Sequence, residues 1–492
     1  MSQINVSHLT FAYEGSYDHI FEDVSFQLDT DWKLGLIGRN GRGKTTLLRL
    51  LLGEYIPQGT IVKPVGMDYF PFPVQDTALP AADVIRSICP ECAPWELSRE
   101  LARLEVDEAV LSRAFGTLSN GEQTKLLLAA LFLQENRFLL IDEPTNHLDA
   151  EARVLVAKYL RSKKGFILVS HDRMFLDGCV DHILSINKTN IEVQKGNFSS
   201  WLANKQRQDA FEQSEHEKLL QTIGRLGQAA KRTAGWSDKV EKSKYGGTVP
   251  DRGFVGHKSA KMMKRAKAIE ARRQTAVEEK QALLQNVERV DSLQLTPAVY
   301  HTNCLAEARA LSVQYGTEPV CTNVSFTVCA GQRIALCGRN GSGKSSILKL
   351  LAGEELPHTG LLRTGSGLIV SCVPQDTSFL SGNLSAYAAA CGIDESRFKT
   401  ILRKLDFSRV QFEKDMHDFS AGQKKKVLIA RSLCEHAHLY LWDEPLNFID
   451  IFSRMQIEEL LLSSSPTMVF VEHDRAFTDQ IATDKVNLTT GV

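Results

Sequence analysis
The chain of 492 residues lacks any apolar run long enough to cross a membrane. A span needs about 18–20 such residues, and the run from Leu126 to Leu133 is only eight long. A basic-then-apolar leader is missing too, since a strand-like segment from Ile4 to Leu9 begins almost at once. Neither sign of charge is in excess: 58 Lys and Arg face 59 Asp and Glu, for a net charge of −1. The chain as a whole is therefore no polyanion binder. The ten cysteines are scattered, mostly in apolar runs, and read as small core residues rather than a disulfide framework. Cys89-Pro90-Glu91-Cys92 and the alternating Cys434, His436 and His438 have no second pair at zinc-like spacing, which argues against a metal module. These absences lead us to expect a soluble, cytoplasmic protein with no membrane domain.

What the chain does have is one motif written twice. Gly38-Arg39-Asn40-Gly41-Arg42-Gly43-Lys44-Thr45 recurs as Gly338-Arg339-Asn340-Gly341-Ser342-Gly343-Lys344-Ser345. Both fit G-x-x-x-x-G-K-[ST], and each lies between an apolar strand-like run and a helix-like run, the context this phosphate-binding loop requires. Glycines let the backbone curl so that N–H groups converge on phosphate oxygens, and the following helix adds partial positive charge. The lysines suit the β- and γ-phosphates of a nucleotide, and Thr45 and Ser345 offer hydroxyls to Mg²⁺.

The repeat continues beyond the loops. Leu118-Ser119-Asn120-Gly121-Glu122-Gln123 is matched by Phe419-Ser420-Ala421-Gly422-Gln423, and the apolar run ending in Asp142-Glu143 by one ending in Asp443-Glu444. Ser170-His171-Asp172 is matched by Glu472-His473-Asp474. Register holds throughout: lysine to signature serine is 75 and 76 residues, and signature serine to aspartate is 23 in both halves. This is an internal duplication of an ATPase domain. The expected architecture is α/β: tandem P-loop ATPase domains at 1–200 and 291–492, joined by a helical-hairpin linker at 201–290.

The order of these motifs resembles the ATP-binding cassette (ABC) superfamily, and two cassettes joined by a charged linker resemble its ABC-F subfamily. Asp142-Glu143-Pro144-Thr145-Asn146-His147-Leu148-Asp149 matches that subfamily's usual form. The resemblance implies head-to-tail cassettes sandwiching two ATP molecules with Mg²⁺ within a monomer. Ser420, Gly422 and Gln423 would then complete the site of Lys44, and Ser119, Gly121 and Glu122 that of Lys344. Nucleotide contacts are implied for Gly38, Asn40, Gly41, Gly43, Thr45 and Thr46, and for Gly338, Asn340, Gly341, Gly343, Ser345 and Ser346. Tyr13 and Tyr315 would stack on adenine. Asp142 and Asp443 would hold Mg²⁺ together with Thr45, Ser345 and Gln375. Glu143 and Glu444 would polarise the attacking water, and His171 and His473 would contact the γ-phosphate. ATP binding would close the sandwich and hydrolysis would open it.

Both cassettes depart from the pattern. Phe72 stands where the family often has the glutamine that Gln375 supplies in the second cassette, leaving Gln75 as a shifted substitute. Pro445-Leu446-Asn447-Phe448-Ile449 replaces the threonine, histidine and leucine of the first cassette. Hydrolysis should survive in both sites at unequal rates.

The linker carries the functional specificity. Leu219, Ile223, Leu226 and Ala230, and later Met262, Ala266, Ile269 and Val277, keep helical spacing and predict two long antiparallel helices. Gly224 and Gly227 are expected to weaken the first of them, and a glycine-rich tip is expected at 233–257. Residues 225–273 hold 14 Lys or Arg against 4 Asp or Glu. Cations beside rings suit RNA phosphates and bases. The candidate RNA-binding residues are Lys231, Arg232, Trp236, Lys239, Lys242, Lys244, Tyr245, Phe254, Lys258, Lys261, Lys264 and Arg265.

Ala234-Gly235-Trp236 and Gly256-His257-Lys258-Ser259-Ala260-Lys261 resemble the linker of the Lsa group of antibiotic-resistance ABC-F proteins. That resemblance implies a ribosome-protection protein acting at the exit site of the bacterial 70S ribosome, close to 23S rRNA and the P-site tRNA. It would displace lincosamides, streptogramin A and pleuromutilins from the peptidyl-transferase centre. A housekeeping ABC-F translation factor, the ATPase half of a transporter and a DNA-repair or cohesin-type ATPase stay open as alternatives.

Overall fold
In a computed structural model, the described residues are 2–14, 19–134, 136–187, 190–242, 293–315 and 318–488, with all of 260–277 except 262, 266, 273 and 276. By internal contacts the chain forms two units. One comprises Met1–Ile186, Ile191–Phe198 and Val290–Val492; the other comprises Asn187–Asn190 and Ser199–Arg289.

The first half of the larger unit begins with β1 (Gln3–Phe11), β2 (Phe21–Asp29), β3 (Lys33–Ile37), α1 (Lys44–Leu52), β4 (Gln58–Val62) and β5 (Gly66–Phe70). It continues with α2 (Ala81–Ile88), α3 (Pro94–Arg103), α4 (Asn120–Phe132), β6 (Arg137–Asp142), α5 (Ala150–Arg161), β7 (Phe166–Val169), α6 (Arg173–Cys179), β8 (His182–Ile186) and β9 (Ile191–Lys195). An antiparallel sheet, β2-β1-β4, accompanies a six-stranded sheet of order β5-β6-β7-β3-β8-β9, parallel except at β8-β9. The central strands are continuous apolar runs because both faces are covered: β7 is buried along its whole length, and β6 from Phe138 to Ile141. Strand β1 instead alternates, as a strand covered on one face does.

After α7 (Phe198–Lys242) the pattern repeats as β10 (Cys304–Tyr315), β11 (Glu318–Cys329), β12 (Arg333–Cys337), α8 (Lys344–Leu351), β13 (His358–Thr364) and β14 (Val370–Val373). Then come α9 (Leu384–Ala390), α10 (Glu395–Lys404), α11 (Ala421–Cys434), β15 (Leu439–Asp443), α12 (Ile451–Ser464), β16 (Met468–Val471), α13 (Arg475–Ile481) and β17 (Asp484–Asn487). The sheets are again an antiparallel β11-β10-β13 and a parallel β14-β15-β16-β12-β17. In both halves the glycine loop, the Asp-Glu pair and the His-Asp pair leave the carboxyl ends of adjacent parallel strands, where open α/β sheets hold ligands.

The smaller unit is dominated by α7, whose 45 residues span about 68 Å at 1.5 Å per residue. The helix is continuous through Gly224 and Gly227 and runs on to Lys242. Its end therefore lies ten residues inside the segment expected as a glycine-rich tip. The reason is local: residues 228–242 contain one glycine and no proline among alanine, lysine, glutamine and glutamate, which favour helix. Leu219, Ile223 and Leu226 share a half-buried face, whereas Leu220 is exposed. The described residues of 260–277 are helical. Lys231, Arg232, Lys239, Lys261, Lys264 and Arg265 are all exposed. Lys244, Tyr245, Phe254 and Lys258, and the side chains of Trp236 and Lys242, lie outside the described residues.

Candidate functional site
Two pockets form where each half meets the other. The first glycine loop enters α1 through Gly43, at φ +83°, where a Cβ would stand 2.5 Å from Ile20 Cγ2. Glycine is thus required by both backbone conformation and space. The Lys44 ammonium folds back on the loop and donates to the carbonyls of Gly38 (2.7 Å) and Arg39 (3.3 Å) and to Asn40 Oδ1 (3.2 Å). Burial lowers its pKa, against the pull of nearby carboxylates. Lys344 makes the same contacts with Gly338 and Arg339 and is shifted down for the same reason.

At the first pocket the other half reaches the glycine loop through Phe448, packed on the second signature. Asn40 Nδ2 donates to the Phe448 carbonyl at 2.9 Å. A Cβ on Gly422 would stand 2.4 Å from that oxygen, so only glycine admits this approach. Phe448 itself has φ +64°, an uncommon conformation for a bulky residue. The resulting cavity of about 490 Å³ brings together Tyr13, Asn40, Gly41, Gly43, Lys44, Thr45 and Thr46 from the first loop region. It adds Asp142, Glu143 and His171 from strand ends, and Ser420 and Gly422 from the other half. Gln423 is not among the lining residues; its Oε1 accepts from the Ser420 N–H at 2.9 Å and so caps α11. Gln75 is exposed and is not among the residues that line the cavity. The strand register explains why: Phe70 pairs Ile141 as Val373 pairs Trp442, which puts Phe72 opposite in role to Gln375 and leaves Gln75 three residues further on.

The second cavity, about 760 Å³, gathers Asn340, Gly341, Gly343, Lys344, Ser345, Ser346, Gln375, Glu444 and His473 with Ser119, Gly121 and Glu122 of the first half. Tyr315 and Asp443 are not among its lining residues. Tyr315 is tied by its hydroxyl to Ser346 Oγ at 3.1 Å, as Tyr13 is to Thr46 Oγ1 at 2.9 Å. Gly338 and Gly38 sit at the base of their loops, holding the lysines through their carbonyls.

The electrostatics differ between the pockets. Glu143 is pushed up to about 8, first by burial and then by the charge of Asp142. His171 Nε2 lies 3.2 Å from Glu143 Oε1. Burial, then Lys44, holds the His171 ring well below its usual range, so it is neutral. Glu444 moves the other way: burial would raise it, but His473, at 3.3 Å, and the Gln375 amide outweigh burial. Its Oε2 accepts from Gln375 Nε2 at 2.9 Å and from Asn447 Nδ2 at 2.6 Å. Lys425 also donates to the carbonyls of Pro374 (2.9 Å) and Asp443 (3.2 Å); Thr124 stands at the matching place in the first half. Sequence reading overlooked Lys425 and Asn447. Asn447 had a signal, its place three residues after the glutamate; Lys425 had none, since a lysine in a helix reads as solvated surface.

In both halves oxygen ligands converge below the loop. Thr45 Oγ1 donates to Asp142 Oδ2 at 2.9 Å. Burial raises Asp443, with a hydrogen bond from Ser345 opposing it, and Asp443 Oδ1 is buried without a hydrogen-bond partner. A hydroxyl and a carboxylate on each side form an oxygen donor set that fits a hard divalent cation.

The ABC transporter family profile matches residues 21–146 and 321–447, together just over half of the chain and both glycine loops. The chain belongs to the ABC transporter family. Its repeated halves are tandem ABC ATPase domains, and the protein is an ATPase that binds ATP. Among the described residues no helix is long and apolar enough to cross a membrane. The chain is 28% identical over 490 residues to the ribosome protection protein VmlR of Bacillus subtilis, covering 96% of this chain and 85% of VmlR. It is 26% identical over 529 residues to the putative ATP-binding protein YdiF of the same organism, covering 96% and 78%. To the energy-dependent translational throttle protein EttA of Escherichia coli K12 it is 26% identical, covering 94% and 88%. Among solved structures, the complex of archaeal ribosomal stalk protein aP1 and ribosome recycling factor aABCE1 aligns with TM-score 0.64 at 19% identity, covering 98% of this chain and 90% of the other. That likeness is one of fold.

Proposed function
We propose that this chain is an ABC-F ATPase of the ribosome-protection type, most like the Lsa group. It works in the cytoplasm as a monomer and joins the 70S ribosome in its ATP-bound state. The reading is carried by the similarity to VmlR along 96% of the chain. The linker supports it: 14 cations against 4 anions in residues 225–273 of an otherwise acidic chain suit 23S rRNA. The protein then binds the exit-site region beside the P-site tRNA and displaces lincosamides, streptogramin A and pleuromutilins.

In this reading each pocket holds one ATP. Lys44 and Lys344 leave their loop carbonyls for the phosphates, and Ser420 with Gly422, or Ser119 with Gly121, close over the γ-phosphate from the other half. Tyr13 and Tyr315 turn from Thr46 and Ser346 to stack on adenine. Thr45 with Asp142, and Ser345 with Asp443 and Gln375, would hold magnesium, which would supply positive charge to the phosphates. Glu143 and Glu444 orient the attacking water, with His171 and His473 beside the γ-phosphate.

The test is drug susceptibility of a sensitive bacterium with and without the gene, and with residues 234–256 replaced by a short glycine-serine turn. The intact gene should raise inhibitory concentrations, and the replacement should abolish this while ATPase activity stays within a few-fold. Unchanged susceptibility with the intact gene sinks the reading. The similarity to EttA favours a second reading, a housekeeping translation factor, for which deletion would slow growth without drug.

A further inference from the structure
The first pocket lacks the glutamine of the second, yet its aspartate is not left with the loop hydroxyl alone. Tyr69, near the end of β5, donates its hydroxyl to Asp142 Oδ2 at 3.0 Å. This is the same oxygen that accepts from Thr45 Oγ1 at 2.9 Å. Tyr69 pairs with Leu140, two residues before Asp142; Cys372 pairs with Leu441, two residues before Asp443. The two positions are therefore equivalent, and three residues further on stand Phe72 and Gln375. A phenyl ring at 72 cannot donate, so the first pocket has no counterpart of the Gln375–Glu444 bond. In the second pocket a thiol, a weaker and shorter donor, stands where Tyr69 stands in the first. The phenol is half-buried against the core beneath α1, so its direction is fixed by packing.

We propose that Tyr69 is a positioning residue of the first ATP site, holding the Asp142 carboxylate toward Thr45 and thereby replacing, from the neighbouring strand position, the polar support that Gln375 gives the second site. The first pocket thus supports the metal-facing aspartate where the second supports the water-facing glutamate. The inference rests on reading Thr45 and Asp142 as the magnesium-holding pair.

The probe is Mn²⁺ with a non-hydrolysable ATP analogue, titrated by electron paramagnetic resonance on the full chain, which should bind two ions. Tyr69→Phe keeps the ring and removes the donor. It should weaken one of the two Mn²⁺ ions by at least about tenfold, as expected for a lost hydrogen bond to a carboxylate, and leave the other unchanged. That unchanged ion also reports that the variant is folded. Cys372→Ala should alter neither ion. Adding Phe72→Gln to Tyr69→Phe should recover part of the lost affinity, which a purely structural role for the ring would not give. Two unshifted ions in Tyr69→Phe would overturn the proposal. Asp142→Asn separates the underlying reading: it should remove the same ion, and if both ions still bind, the Thr45–Asp142 assignment falls and the Tyr69 proposal with it.

Discussion

Arg173 and Glu458 offer the sharpest test of how the two halves are held. Arg173 opens α6 directly after the His171-Asp172 pair, and Glu458 lies in α12 of the other half. Arg173 Nη1 donates to Glu458 Oε2 at 3.1 Å while Nη2 meets Oε1, so the contact is bidentate. The side chains are 13% and 4% exposed. Burial raises the Glu458 pKa despite the opposing pull of Arg173, so the attraction does not fully repay desolvation. The pair therefore contributes little net stability, yet breaking it from one side strands a buried charge, at a cost of about 3–5 kcal/mol. Because the partners belong to different halves, that cost falls on the closed arrangement rather than on the folding of either domain, and about 3 kcal/mol is a shift of over a hundredfold toward open. The duplicated position lacks the pair: Ala157 lies eight residues after Asp149, as Glu458 lies eight after Asp450, and it lines a cavity of about 300 Å³ with Arg475. Closure can be read as an inter-label distance across the halves in ATP, in a Glu143→Gln, Glu444→Gln background. Glu458→Ala should depopulate the closed distance, and Arg173→Glu with Glu458→Arg should restore it. If Glu458→Ala closes as wild type does, the contact is incidental and the reasoning fails.

Three other outcomes are expected. The Glu143→Gln, Glu444→Gln double variant should bind ATP and release almost no phosphate; normal turnover would remove both residues from the mechanism. The single variants should leave unequal residual rates, because Glu444 accepts from the Gln375 amide while Phe72, at the matching place in the first half, has no donor to offer Glu143; equal residual rates would make that amide kinetically silent. Asp450 is held below the usual carboxylate range: burial opposes this, but Lys426, at 2.9 Å, and the Ser453 N–H prevail. A depressed folded pKa gives stability that is present above the unfolded value of about 3.9 and lost as pH falls through the folded one. The urea midpoint should therefore drop below about pH 4, and Asp450→Asn should lower it at neutral pH while flattening that acid limb; an unchanged limb would count against the pair.

Much of this was legible from spacing. Parallel strands buried on both faces are apolar runs, and chemistry-bearing residues leave their ends, so the glycine loops, Asp142, Asp443, His171 and His473 could be placed before any fold was known. What spacing could not give was register after a strand. Gln75 looked like a substitute glutamine because it lies near Phe72 in sequence. Pairing of Phe70 with Ile141 fixes the strand end, and two prolines, Pro71 and Pro73, then carry the chain outward, so Gln75 is exposed. The end of α7 was misjudged for the opposite reason. A single glycine at 235 costs about 1 kcal/mol, less than fourteen helix-compatible neighbours return.

The unequal pockets follow from duplication followed by separate substitution. Several supporting contacts are made in one half and not at the matching place in the other. Gln375 and Lys425 support the second Asp-Glu pair, while Phe72 and Thr124 stand in their places in the first. Tyr69 supports Asp142, while Cys372 stands opposite Asp443's strand. Arg173 finds Glu458, while Arg475 faces Ala157. The pocket that lacks the glutamine, and whose Glu143 is pushed by burial up to about 8, is also the one whose His171 lies two residues before Arg173 of the cross-half ion pair. Unequal residual rates in the two single glutamate variants would therefore trace to residues outside the shared motifs, since the motifs themselves are repeated.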